Sequence, residues 1–273
     1  MDNYKTLIVE IDAVTRVANV RLNRPAQRNS LSHDFFSEFP SALSSLDQNS
    51  EINVIILCAA GDHFCSGIDI SHLLTVKDSA SLDHARRNER LRSNIMFLQD
   101  AVTSIERCRK PVIAAINGGC IGGGVDIATA CDIRYCSRDA FFSVKEVDLA
   151  ITADLGTLQR LPAIVGYGNA AELALTGRRL SSQEAKEMGL VSSIFETKKE
   201  LYDAVGSIAK SIGEKSPLAV IGTKAVLLKG RDLSIAQSLD YVATWNAGML
   251  VGDDLKEAIE AYFQKRKPHF AKL

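Results

Sequence analysis

Residues 110–144 read "KPVIAAINGGCIGGGVDIATACDIRYCSRDAFFSV". Within this stretch the texture changes three times. "PVIAAINGG" is a continuous apolar run rich in β-branched residues, the composition of a strand buried on both faces. "GGGVDIATACD" has the small side chains of a helix that begins at a glycine turn and packs closely against its neighbours. "IRYCSRDAFFSV" returns to strand composition. Strand, glycine loop, helix and strand in close succession predict an α/β fold.

Upstream the same alternation holds. "TLIVEIDA" and "VANVRLN", separated by "VTR", read as a β-hairpin. "NRPAQRNSLS" is a polar loop, and residues 33–47 read as a helix that Pro40 must kink or split. "INVIILCAA" is a second doubly buried strand, and "GDHFCSGIDI" is the loop that leaves it. From about Leu82 to Cys108 the pattern is helical, with Leu91, Ile95, Leu98, Val102 and Ile105 drawing one apolar stripe. Pro111 disfavours helical geometry at Lys110 and stops that helix. After about residue 156 the chain is mainly helical, most clearly in "SPLAVIGTKAVLLKG", "SIAQSLDYVATWNAGML" and "DDLKEAIEAYFQKRK". No low-complexity linker and no solenoid repeat interrupts it.

The 273 residues are 46% hydrophobic and 24% charged with a formal net charge of −1, the balance of a soluble globular chain. No basic excess favours nucleic acid or an anionic membrane as the main partner. No apolar run is long enough to span a bilayer, and "MDNYKTLIVEID" has no secretory-signal pattern. Cys58, Cys65, Cys108, Cys120, Cys131 and Cys136 form no C-x-x-C pair and have no histidines grouped beside them, which argues for buried thiols and against a metal site. The final "AKL" approximates the S-K-L peroxisomal address.

Two features carry chemistry. "CSGIDI" (65–70) and "GGCIGGGVD" (118–126) are glycine loops that each follow a strand. A helix starting near Gly123 has free N–H groups and a positive dipole end. Together the loops could aim two main-chain donors at one oxygen, an oxyanion hole worth roughly 3 kcal/mol per donor in a transition state. Their spacing is neither a dinucleotide fingerprint nor a P-loop. The second feature is "VKEVDLAITAD" (144–154), where Glu146, Asp148 and Asp154 sit among apolar residues, with Asp126 upstream in "GGGVD". Charges are seldom buried without partners, so these acids either face solvent or line an apolar site where an unusual pKa is useful.

The ordered set "NRPAQRNSLS", "DHFCSGIDI", residues 110–147, "GTLQRLP" and "LTGRRLSSQEAKEMGLVSSIF" resembles the enoyl-CoA hydratase/isomerase (crotonase) family over nearly the whole chain. The resemblance implies a crotonase-like β-β-α spiral core over residues 1–200, carrying the CoA and catalytic sites. It implies a helical C-terminal region, 201–273, used in homotrimer or hexamer formation. It implies an acyl-CoA thioester substrate, with coenzyme A part of the substrate and no metal or redox cofactor. The oxyanion donors fall at the N–H groups of Ile68 and Gly123. Many family members have Ala where Ile68 stands, but only the main-chain N–H is needed. The expected substrate contacts are Arg28, Asn29, Ser30, Ser66, Gly67, Asp69, Ile70, Ser71 and Gly124, with Gly67 and Gly124 shaping the loops and Asp69 ordering its own.

Hydratases of the family usually carry Glu at the positions of Asp126 and Glu146, and a small or non-ionisable residue at that of Asp154. The trio found here resembles the family's dienoyl-CoA isomerases, which move two conjugated double bonds of a 3,5-dienoyl-CoA one place toward the thioester during fatty-acid β-oxidation. The resemblance implies Glu146 at C2 and Asp154 at C6, with Asp126 assisting. Asp148 reads as solvated or capping. The competing reading of Asp154 is a helix N-cap before "LGTLQRL". Competing functions are an enoyl-CoA hydratase with an altered acid pair and a non-catalytic acyl-CoA-binding or RNA-associated member of the fold. Peroxisomal fatty-acid oxidation agrees with the AKL tail and an import receptor that reads it.

Overall fold

In the computed structural model, which describes residues 4–70 and 83–273, the strands fall into two sheets. The expected hairpin opens the larger one: β1 (Leu7–Asp12) and β2 (Val17–Leu22) pair antiparallel, Leu7 opposite Leu22. The sheet continues in parallel through β3 (Val54–Ala59), β4 (Val112–Ile116), β6 (Ile133–Ser137) and β9 (Ser193–Phe195). A small sheet holds β5 (Gly119–Ile121), β7 (Phe141–Ser143) and β8 (Leu180–Ser181).

The chain winds between the two. It passes from β4 to β5 and into α3 (Gly123–Ala130), then from β6 to β7 and into a 3-10 turn (Glu146–Leu149) followed by α4 (Thr157–Val165) and α5 (Tyr167–Thr176). It returns through β8 and α6 (Ser182–Glu187) to β9. Each turn adds a strand to the large sheet, a strand to the small one and a helix, which is the expected β-β-α spiral. The short strand β5 lies within "GGCIGGG", which reads as loop alone; three residues are too few to give a periodic signal.

β3 and β4 are buried at every residue, as their unbroken apolar runs demand. On one side lie α1 (His33–Gln48) and α2 (His84–Arg107), which bring Phe35, Phe36, Phe39, Leu98, Val102 and Ile105 into the main core. Each such side chain contributes about 1.5–3 kcal/mol by leaving water. On the other side lies α7 (Lys198–Gly213), whose Leu201, Val205 and Ala209 meet Ile56, Ile113 and Ala115. Two expectations shift here. α1 runs unbroken through Pro40, so the proline neither splits the helix nor ends it. The stripe on α2 packs only in its second half, since Leu91 is 42% exposed.

α7 covers the sheet and so belongs to the spiral core. A helical extension follows Gly213. It comprises α8 (Pro217–Gly230), α9 (Ile235–Met249) and α10 (Asp253–Phe263). α8 docks through a buried lysine: Lys224 Nζ pairs with Asp132 Oδ2 at 2.8 Å and donates to the carbonyls of Ile105 (2.9 Å) and Lys110 (3.0 Å). All six cysteines are buried free thiols.

Candidate active site

Two short bridges bring the glycine loops together. Cys65 pairs with Cys120 and Leu31 with Ile68. In the second bridge Leu31 N–H donates to Gly67 O at 2.8 Å and Asp69 N–H to Leu31 O at 2.9 Å. That pattern leaves the N–H of Ile68 pointing away from its partner strand. Neither it nor the N–H of Gly123, the first residue of α3, has a hydrogen-bond acceptor among the described residues. The two amides flank one small space. A β-carbon built on Gly67 would lie 3.7 Å from Gly123 N, and one built on Gly123 would lie 3.7 Å from Ile68 N. Gly67 has φ +93°, which only glycine adopts without strain. A β-carbon on Gly124 would come within 2.9 Å of Cys65 Cβ, so that glycine lets α3 seat against the first loop.

The acids gather beside this space. Glu146 opens the 3-10 turn after β7, and its Oε1 would lie 3.3 Å from a β-carbon on Gly122. Its Oε2 is buried with no hydrogen-bond partner. Burial, reinforced by the charges of Asp126 and Asp154, pushes the Glu146 carboxyl up to about 7. Asp126 is 1% exposed on α3, and its Oδ1 accepts the N–H of Thr157 at 2.6 Å. Burial raises its carboxyl to about 6, against the hydrogen bonding of Thr157 and the charge of Arg160. Asp154 is half-buried, and burial raises it as well.

Asp154 does not cap the following helix. The residue at the cap is Gly156, which offers no side chain, and the first N–H of α4 is taken by Asp126 from α3. The capping alternative therefore fails on geometry. Asp148, by contrast, is exposed and ion-paired with Lys145.

The substrate-contact set separates into groups. Arg28 is exposed with φ +50°, while Ser30 and Ser66 are half-buried on the same rim. Arg24 gathers this loop, donating to Ser30 O at 2.6 Å and pairing with Asp69 at 3.0 Å, so Asp69 ties its segment to the loop of Arg24. Asn29 differs from the expectation. It is 2% exposed, accepts from Arg24 N–H and donates to Ala60 O and His63 O, so its amide is consumed inside the fold. Ile70 is 58% exposed at the end of the loop. Ser71 lies outside the described residues.

Three residues near the site were not singled out from sequence. Gln99 Nε2 donates to Asp154 O at 2.7 Å, Arg160 Nη1 donates to Leu155 O at 3.3 Å, and Cys65 Sγ accepts from Gly67 N–H at 3.4 Å. Gln99 reaches the turn from a segment 55 residues away, while Arg160 and Cys65 act on main chain five and two residues off; none belongs to a motif that would single it out.

The profile of the enoyl-CoA hydratase/isomerase family matches residues 12–272. The protein named "Delta(3,5)-Delta(2,4)-dienoyl-CoA isomerase, peroxisomal" from Arabidopsis thaliana is 62% identical, over 100% of this chain and 99% of that protein. The mitochondrial protein of the same activity name from Mus musculus is 43% identical, over 97% of this chain and 81% of that one. Among solved structures, enoyl-CoA hydratase from Bacillus anthracis superposes with a TM-score of 0.87 at 32% identity, covering 98% of this chain and 99% of that chain.

Proposed function

The chain belongs to the enoyl-CoA hydratase/isomerase family, and from that premise we propose that it is a peroxisomal Δ3,5-Δ2,4-dienoyl-CoA isomerase. The thioester oxygen lies between the N–H groups of Ile68 and Gly123. Glu146 removes a proton from C2, and the charge that develops on the oxygen is met by the two fixed donors. The double bonds move to C2–C3 and C4–C5, and Asp154 delivers a proton to C6. Protons in and out balance, and no electron leaves the substrate. A base whose carboxyl sits near 7 is better matched to a weak carbon acid than an ordinary carboxylate, while staying substantially ionised at neutral pH. Asp126 tunes the other two by its charge and holds the turn that carries Asp154. Arg28, Ser30, Ser66 and Ser71 contact the CoA portion.

The observation that carries this reading is a second raised acid beside Glu146. Water addition at one double bond does not need an acid at Asp154; proton delivery four carbons from C2 does. The test is to present 3,5-dienoyl-CoA and 2-enoyl-CoA in parallel. The reading expects a rapid rise in the longer-wavelength absorbance of the conjugated 2,4-dienoyl thioester. Fast hydration of the enoyl substrate with no diene shift would overturn it.

Ile235, Leu239, Tyr262 and Phe263 are 62–82% exposed on α9 and α10, which supports assembly through the C-terminal helices into a trimer or hexamer. The terminal AKL is the segment proposed to engage the import receptor.

A further inference from the structure

In the turn from Asp154 to Thr157 the main chain of Asp154, Leu155 and Thr157 is held by side chains. Gln99 of α2 holds Asp154 O, and Asp126 of α3 holds Thr157 N–H. Between them the guanidinium of Arg160 lies directly beneath the turn. Its Nη1 donates to Leu155 O, and a β-carbon on Gly156 would fall 1.7 Å from the same atom. Gly156 has φ +125°, so the turn is built to admit that guanidinium. Arg160 is itself held. Its Nε and Nη2 donate to Glu106 Oε2 at 3.0 and 2.7 Å, and Nη2 donates to Thr103 Oγ1 at 3.2 Å. Both partners of this pair are largely buried, their side chains 12% and 17% exposed. The other oxygen of Glu106 takes Arg231 from the end of α8.

We propose that Arg160, clamped by Glu106, is a positioning residue that fixes the turn carrying Asp154 and holds a positive charge near Asp126. The inference rests on the proposed isomerase reading. A fork anchored on a carboxylate has little freedom, so the main chain it supports is held in one geometry. Its positive charge also opposes the effect of burial on Asp126, and the Glu106 carboxylate paired with it offsets part of that charge. The charged groups around it are Asp126 and Asp154 on the site side, and Glu106, Arg231, Arg107, Lys229 and Asp232 on the outer side.

The test uses the full-length enzyme with Arg160→Met, Arg160→Lys and Glu106→Gln, following kcat and KM for 3,5-dienoyl-CoA across pH. Arg160→Met should lower kcat about 10- to 100-fold, the usual cost of a misplaced catalytic group, with KM nearly unchanged. Its low-pH limb should move to higher pH. Arg160→Lys keeps the charge but not the fork, so it should restore the limb while recovering only part of kcat. Glu106→Gln should move the limb the opposite way, to lower pH. These two milder variants decide the matter if Arg160→Met does not fold. A substrate-free measurement, carbon-13 NMR titration of labelled aspartates, should show the Asp126 midpoint rising in Arg160→Lys less than in Arg160→Met and falling in Glu106→Gln. An unchanged pH profile and unchanged Asp126 titration would overturn the proposal. A wild-type enzyme inactive on the diene would instead overturn the function reading, leaving the titration to judge Arg160.

Discussion

Asp126 Oδ1 accepts the N–H of Thr157 at 2.6 Å, so a buried acid on α3 starts α4. Through that one bond the helix whose first N–H faces the oxyanion space is tied to the turn that presents Asp154. The two halves of the proposed proton transfer therefore share a frame. The arrangement carries a cost, because a carboxylate 1% exposed resists ionisation.

That cost is measurable. The folded carboxyl of Asp126 is raised to about 6 from an ordinary 3.8, so the folded state holds its proton longer than the unfolded one does. Its contribution to stability is then fully present below about 4 and is lost as pH rises through about 6. Asp126→Asn keeps an oxygen for Thr157 but removes the charge. It should stabilise the chain at pH 7.5 by up to about 3 kcal/mol, with little effect at pH 4, while lowering isomerase activity. Denaturant melts at the two pH values check both signs.

The Gly67 loop allows a second test. At φ +93° an alanine strains the backbone by about 1–3 kcal/mol. The strain is relieved by moving the adjacent Ile68 N–H. Gly67→Ala should lower kcat about 100- to 1,000-fold, the usual loss for one oxyanion donor, while circular dichroism stays native.

Lys224 is the anchor of the C-terminal helices. Lys224→Met removes the partner of Asp132 and leaves the carbonyls of Ile105 and Lys110 without their donor. A loss of about 3–5 kcal/mol is expected. Under the proposed assembly through the C-terminal helices, sedimentation should show weaker association, because α8 no longer seats α9 and α10.

Much of this was legible in the chain. β3 and β4 read as doubly buried strands because every residue of "VIILCA" and "VIAAI" is apolar. Gly67 and Gly123 are readable as loop glycines because their neighbours are strands. What the sequence hides is set by distant contacts. Asn29 reads as a polar loop residue open to a ligand, yet its amide closes the fold against Ala60 and His63. Beside the acid role that the resemblance implies, Asp154 also reads as a cap, because aspartate before a helix usually is one, but Asp126 binds the first N–H of that helix from α3. Arg160 is one polar residue on an amphipathic helix until Glu106 is seen beside it.

Proton exchange in deuterium oxide separates the two acids most directly. With 3,5-dienoyl-CoA, Asp154→Asn should still exchange the C2 hydrogens through Glu146 while forming 2,4-dienoyl product at least about 100-fold more slowly. Glu146→Gln should lose exchange and product together. If Asp154→Asn forms the 2,4-diene at the wild-type rate, a two-acid relay is contradicted, and Asp154 is only part of the wall.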